Sequence, residues 1–367
     1  MKRLIKGSLL RDNAIRLLAL LAALTMLAGC ERSNGIFTDE LDVLGTFAEI
    51  TIVGVPESKA QEAAQAVEQD LKSLDYIGYT FKEEGELHRL NEAIAQGRSM
   101  EVSDGLLELI VDAKDLYEKS DGLFNPAKGE LTAFWEFICD KDECSESPYP
   151  VEVQRLVDEQ VQKIIAANPS MEDLIIDGSR VSSKNRLVRL EFGDMIRGLA
   201  LDKGIVHFRA LGVNNAEINI GGSVRTTGMR GKHDWWIGIP DASGSHIIGS
   251  IENIDDMSVV TVRAFDKSFG KKGLVYRHIV DPRTGKPVED VQSVTVMHEN
   301  AMLANAFAVT LHVAGIREWK HLADIMDVHK MLAITKDGTI YTSPAMEHII
   351  HWKQGVAHQH LVPWVDK

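Results

Sequence analysis

Residues 276–288 read YRHIVDPRTGKPV. The run at 275–280 reads as a strand, and the residues after it are turn chemistry: proline fixes φ, and glycine accepts a positive φ. A second apolar run, 291–297, then reads as another strand, so the segment predicts a hairpin-like return. His278 stands at the mouth of that turn, with Asp281, Arg283, Thr284 and Gly285 inside it. An ordinary hairpin with a hydrogen-bonded imidazole is one reading of His278. A working imidazole is the other.

Outward from this point the chain divides into an earlier helical part and a later part rich in strands. Upstream, residues 42–54 alternate as a strand through Phe47, Glu49, Thr51 and Val53. The period then changes: Ser58 with Gln61 suggests a capping box, and Ala60, Ala64, Val67, Leu71 and Leu74 share one helical face. A second helix is expected over 103–119, with Leu106, Leu107, Ile110 and Leu116 inward, and a third over 151–167. Strands are expected at 187–191, 216–220, 235–239, 258–262, 275–280 and 291–297. A helix over 301–313 comes next, stopped by Gly315, and another runs from 316 towards 326. This order predicts an α+β fold with a mixed, largely antiparallel sheet and packed helices in one domain, rather than a doubly wound parallel sheet.

The composition sets the class. The chain has 367 residues, 44% hydrophobic and 26% charged, enough for a well-packed core. Its formal net charge of -14 argues against nucleic acid as a partner, because a phosphate backbone selects a basic face. Lys2, Arg3, Lys6, Arg11 and Arg16 precede an apolar run over 17–27, the layout of a secretory signal. The run closes on Leu27-Ala28-Gly29-Cys30, which resembles a bacterial lipoprotein cleavage site. Residues 1–29 are therefore expected to be a signal peptide, Cys30 a lipid-modified first residue, 30–40 a polar tether, 41–345 the folded domain and 346–367 a tail. The body is expected on the periplasmic side of a bacterial membrane, the inner in preference to the outer. Cys139 and Cys144 are expected to form a disulfide in that oxidising compartment.

Six segments carry chemistry in a fixed order. They are Leu44-Gly45-Thr46; residues 85–91, GELHRLN, with Glu86 and Asn91; and residues 121–126, DGLFNP, with Phe124 before Trp135. The others are residues 197–202, RGLALD, with Arg197 and Asp202; residues 219–222, NIGG, with Gly221 and Gly222; and the opening stretch. Together they resemble the ApbE family of FAD:protein FMN transferases over roughly residues 40–345. The resemblance implies a T-fold-like domain that binds FAD with a divalent metal, usually magnesium, at the pyrophosphate. It also implies transfer of FMN to a threonine or serine hydroxyl of a target flavoprotein, with release of AMP. It places His278 beside the transfer, Asp281 and Thr284 in the flavin-binding turn, and Gly45, Thr46, Glu86, Asn91, Phe124, Arg197, Asp202, Gly221 and Gly222 around FAD. Imidazole suits the task, since the attacking hydroxyl must lose a proton near neutral pH.

The departures from the pattern concern the metal. Where the family reads approximately Ala-Asp-Ala-Leu-Ala-Thr, residues 304–309 read ANAFAV, so Asn305 replaces the carboxylate and Val309 the hydroxyl of the ligand pair. Magnesium takes hard oxygens with carboxylate charge, and an amide with an isopropyl group is a poor replacement. Thr310 lies about 100° further round the helix. Ser223 stands where the family often has Asp. Arg263 stands where the family has no side chain, and with Arg197 it is expected to neutralise pyrophosphate oxygens in place of the ion.

Three functions are open to such a chain: an active flavin transferase with a weakened metal site, an FAD-binding lipoprotein without turnover, and an FAD pyrophosphatase. His348, His351, His358 and His360 near the end lack a clear zinc spacing and read as a solvated helix and tail.

Overall fold

A nine-stranded sheet orders the molecule, and each of its faces meets a different partner. The computed structural model describes residues 35–78, 84–140, 151–252, 255–266, 276–277, 279–355 and 361–363. The strands are β1 Ile36–Val43, β2 Thr46–Val53, β3 Met100–Glu101, β4 Leu174–Asp177, β5 Arg180–Ser183, β6 Ala216–Ile220, β7 Ser223–Thr227, β8 Trp236–Pro240 and β9 Ile247–Glu252. They continue with β10 Ser258–Arg263, β11 Phe265–Asp266, β12 Tyr276–Arg277, β13 Val291–His298, β14 Lys330–Thr335, β15 Ile340–Thr342, β16 Ile350–Trp352 and β17 Leu361–Pro363. The helices are α1 Glu57–Gly78, α2 Glu86–Ala95, α3 Asp104–Lys119, α4 Gly129–Asp140, α5 Val151–Ala167, α6 Asp194–Ala210, α7 Ala301–Ala314, α8 Trp319–Met326 and α9 Pro344–Glu347.

The large sheet runs β1-β2-β6-β7-β10-β13-β14-β15-β17. Its pairs are antiparallel apart from the parallel pair β15 and β17. The expected α+β class with a largely antiparallel sheet is what the structure has. Strand alternation sends Ile50 of β2, Ile218 of β6 and Val260 and Val262 of β10 into the main core with α1, α6 and α7. The opposite positions Val53, Val224 and Val259 join a second core beneath the small sheet β16-β9-β8. A third cluster, Trp135 with Val157 and Val161, links α4 to α5 and touches Val280. No helix among the described residues is long and apolar enough to cross a membrane.

Local signals account for several boundaries. Ser103 caps α3 by accepting from the Leu106 amide, and Asn300 caps α7 by accepting from the Leu303 amide. Gly315 ends α7 at φ +70, as expected. Other expectations need correction. The helix α1 begins at Glu57, so Ser58 lies inside its first turn and not at a cap. The tether stops short of residue 40, because Ile36 already opens β1 on β2. The tail is not free: β16 pairs with β9 and β17 with β15, so His351 belongs to a strand. Among the described residues no His, Cys, Asp and Glu cluster could hold a metal. Residues 187–191 form no strand, since Asn91 occupies the backbone of Leu190. Of the expected strand at 275–280, the described residues show β12 at Tyr276–Arg277 and an isolated bridge at Val280. The helix α6 escapes a periodicity reading because the apolar Val206 lies on its exposed face while Gly198 and Gly204 sit among the buried Ile196, Ala200, Leu201, Ile205 and Phe208, so that the two faces differ little in polarity. Cys30, Cys144 and the side chain of Cys139 lie outside the described residues.

The packing of α6 on α7 depends on Gly198. A Cβ there would fall 2.3 Å from the Ala301 carbonyl oxygen, which belongs to a helix backbone and cannot turn aside. Gly198→Ala is therefore expected to destabilise the fold by about 1–3 kcal/mol despite its better helix propensity, read as a lower midpoint in urea unfolding.

Candidate active site

The turn after residue 278 is built from its own polar groups. The Asp281 carboxylate accepts from the Arg283 amide at 2.8 Å and from its guanidinium at 3.0 Å, and the Asp281 carbonyl accepts from the Gly285 amide at 2.8 Å. Gly285 has φ +70, and a Cβ there would sit 2.6 Å from a Val161 methyl, so α5 and the turn approach as closely as they do only over glycine. Three side chains then pin the turn to the body. Trp135 Nε1 donates to the Gly285 carbonyl at 2.8 Å, Lys128 Nζ to the Pro282 carbonyl at 2.6 Å, and Arg283 Nη2 to the Val313 carbonyl at 2.9 Å. Thr284 is exposed, and its hydroxyl accepts from the Lys286 amide.

Beside this turn lies a cleft of ≈ 100 Å³. Phe124 and Asn125 of the 121–126 segment, Lys128, Ile279, Pro282 and Val309 form its walls. Phe124 is set by its amide on the Ser120 hydroxyl, and Asn125 by its amide group on the Pro169 carbonyl. The volume suits a ring or a phosphate group, a fragment of a dinucleotide. Lys128 is buried, and that burial lowers its pKa although Asp281 favours the charged form. Sequence reading passed over Lys128; its signal was a lone cation directly after the 121–126 segment.

The metal positions do not meet in the way the ligand pair requires. Asn305 is fully buried, with its Oδ1 accepting from the Ser223 hydroxyl at 3.1 Å and its Nδ2 donating to the Ala301 carbonyl at 2.9 Å. Val309 lies in the cleft wall and offers no donor atom. Thr310 is turned onto the Ala306 carbonyl at 2.8 Å. Asp202 is also engaged: it binds Arg225 and accepts from the amides of Ala301 and Met302 at 3.0 and 3.1 Å, while burial pushes its pKa up. These residues do not fit a magnesium ion, which needs several uncommitted hard oxygens.

Other expected site residues make contacts within the chain, and Gly221 and Gly222 also line a second cleft. Glu86 accepts from the Ser103 amide and hydroxyl, both at 2.6 Å, and so braces the start of α3. Asn91 holds Leu190 through both its amide and its carbonyl. Gly45 turns β1 into β2 at φ +70, Thr46 packs on Gly221, and Gly221 with Gly222 makes the tight turn from β6 to β7. Arg197 is half-buried on α6 and has an interaction partner. His278 lies outside the described residues.

Arg263 is not beside Asn305 or Val309, contrary to expectation. Val262 points to the helices, so its neighbours Thr261 and Arg263 point to the opposite face. There they line this second cleft of ≈ 320 Å³ under the small sheet, together with Glu217. Burial, then the nearby Glu49, raises the Glu217 pKa to about 7, with Arg230 acting against them.

Substitution can test both the buried bond and the buried acid. Removing the Ser223 hydroxyl leaves the buried Asn305 oxygen without its donor, so Ser223→Ala should cost about 1–3 kcal/mol. Adding Asn305→Ala should cost less than the sum of the two single changes, a coupling that a mutant cycle by urea unfolding reads directly. For Glu217 the folded pKa lies above the unfolded value of 4.5, so its contribution is complete below that pH. It is lost as pH rises through about 7. Glu217→Gln should flatten that decline in melting temperature between pH 4.5 and 7.

This geometry has counterparts among known proteins. The sequence profile of the ApbE family matches residues 44–334. An FAD:protein FMN transferase of Rhodobacter capsulatus is 35% identical over 83% of this chain, which spans 56% of that protein's length. One of Vibrio cholerae is 25% identical over 87% of this chain and 94% of its own. Among solved structures, the ApbE protein of Thermotoga maritima superposes with a TM-score of 0.73 at 25% identity, covering 86% of this chain and 99% of that one. The match runs from the turn at Leu44 through the 276–288 segment to the end of β14, and on it the chain belongs to the ApbE family.

Proposed function

We propose that this protein is an FAD:protein FMN transferase of the bacterial cell envelope, anchored by a lipid on Cys30 and facing the periplasm. The observation that carries the reading is the joining of the 121–126 segment, the 281–285 turn and α7 around one cleft in a chain of this family. FAD is the donor substrate, and the acceptor is a threonine or serine hydroxyl of an extracytoplasmic flavoprotein. The hydroxyl oxygen bonds to the phosphorus of the FMN half, the pyrophosphate P–O bond breaks, and AMP leaves with the bridging oxygen. His278 takes the hydroxyl proton. Phe124 and the apolar cleft wall exclude water beside the reacting phosphate, and the pinned turn holds the flavin side in place.

The metal-ligand positions support a transfer that does not rely on an ion held by residues 305 and 309. The Ser223–Asn305 pair also favours a second reading, an FAD-holding lipoprotein without turnover.

The test incubates the full chain with FAD and an acceptor flavoprotein, with magnesium or with EDTA, and follows covalent flavin by in-gel fluorescence. Covalent flavin and AMP in both conditions are expected, and His278→Ala should abolish transfer while leaving FAD binding. Asn305→Asp with Val309→Thr should create a magnesium dependence. Transfer lost in EDTA and recovered with magnesium in the unaltered protein would overturn the ion-independent reading. FAD held without any product would favour the second reading, and AMP with free FMN would mark a pyrophosphatase.

A further inference from the structure

The cleft beside the 281–285 turn has lost the oxygens that an ion would need, yet the reaction proposed above brings pyrophosphate charge to it. Arg263, the cation expected to answer that charge, lines the cleft on the other side of the sheet. Among the described residues, Lys128 is the one lysine or arginine in the wall of the turn-side cleft, to which Val309 contributes only an apolar surface.

An ammonium has three N–H donors. Two are accounted for, on the Pro282 carbonyl at 2.6 Å and on the Asn168 side-chain oxygen at 3.2 Å. Among the described residues the third has no protein acceptor. Lys128 is only 8% exposed, so a donor left over there cannot be satisfied by bulk water and is favoured to meet an oxygen within the cleft. The two bonds also fix the ammonium in place, so an oxygen reaching it meets a charge already oriented. Glu191 lines the same cleft and has a partner of its own, and Asp281 is neutralised by Arg283. Lys128 is therefore the cation that faces the space.

We propose that Lys128 binds a pyrophosphate oxygen of FAD through its third N–H, supplying from the protein the positive charge that an ion between residues 305 and 309 would otherwise bring. The assignment rests on the transferase reading for the identity of the ligand, but the contact itself is to a phosphate oxygen. It makes Lys128 a substrate-binding residue as well as a tie on the 281–285 turn.

The test compares FAD, inorganic pyrophosphate and riboflavin as probes by calorimetry, without divalent ions, on the full chain and on Lys128→Met and Lys128→Arg. Riboflavin has no phosphate, so it reports the turn's integrity alone. Lys128→Met should weaken FAD and pyrophosphate at least ten-fold more than it weakens riboflavin, whose smaller loss reads the broken tie to Pro282, and Lys128→Arg should recover part of the phosphate loss. Equal weakening of all three probes would make Lys128 purely structural and overturn the proposal, as would unchanged affinities. Pyrophosphate binding that depends on Lys128 in a chain with no affinity for FAD would keep the phosphate contact and reject the transferase reading. No binding of either phosphate probe to the unaltered protein would reject the contact.

Discussion

The two ends of α7 are held by opposite charges, and the site depends on that helix staying where it is. Asp202 receives the amides of Ala301 and Met302 at the N-terminus, and Arg283 donates to the Val313 carbonyl at the C-terminus. Each charge complements the end of the helix dipole it meets and satisfies backbone groups that the helix leaves open. The two anchors lie about 18 Å apart along the axis, from twelve residues at 1.5 Å each. Arg283 is also bonded to Asp281, so the C-terminal anchor and the turn beside the cleft are one unit. A change at Asp202 would therefore reach the cleft through a rigid helix, although Asp202 does not line it.

Much of the fold was legible because its signals are local. Short apolar runs placed β6, β10 and β13, a glycine closed α7, and the order of elements gave the α+β class. The helix α6 was hidden because apolar Val206 is exposed while Gly198 and Gly204 take up the packed side, which blurs the contrast between faces that periodicity relies on. The segment at 187–191 looked like a strand because its side chains suit one, and only a distant asparagine shows where its backbone bonds go. Composition cannot reveal a partner ninety-nine residues away.

Of the residues singled out from the sequence, Phe124 and Val309 line the turn-side cleft, and Gly221, Gly222 and Arg263 line the second one. Glu86, Asn91, Asp202 and Asp281 were picked out as residues that would touch a cofactor, and each has its side chain bonded within the chain. Motif polarity here serves the positioning of backbone: Asn91 holds Leu190 next to the cleft-lining Glu191, Asp281 shapes the turn, and Glu86 and Asp202 brace the starts of α3 and α7. Arg263 shows a second limit. Which face of a strand a side chain takes is fixed by its phase relative to the core, and a one-residue difference separates the helix-side core from the cleft under the small sheet.

The Ser223–Asn305 bond ties these points together. A carboxylate at 305 would stand within reach of the Ala301 carbonyl that Asn305 now satisfies by donation, and two acceptors facing each other in a fully buried site would need a cation or a proton between them. With such a residue the docking of α7 on β7 would be linked to cation binding, because the ion would stabilise only the folded arrangement. The amide donates to the helix and accepts from the serine, so both of its ends are satisfied by neutral groups. The helix then docks without an ion, and the charge needed for phosphate can sit elsewhere in the cleft wall. Separating the two roles leaves the geometry of α7 to Asp202, Asn305 and Arg283, and leaves the electrostatics of the cleft to Lys128.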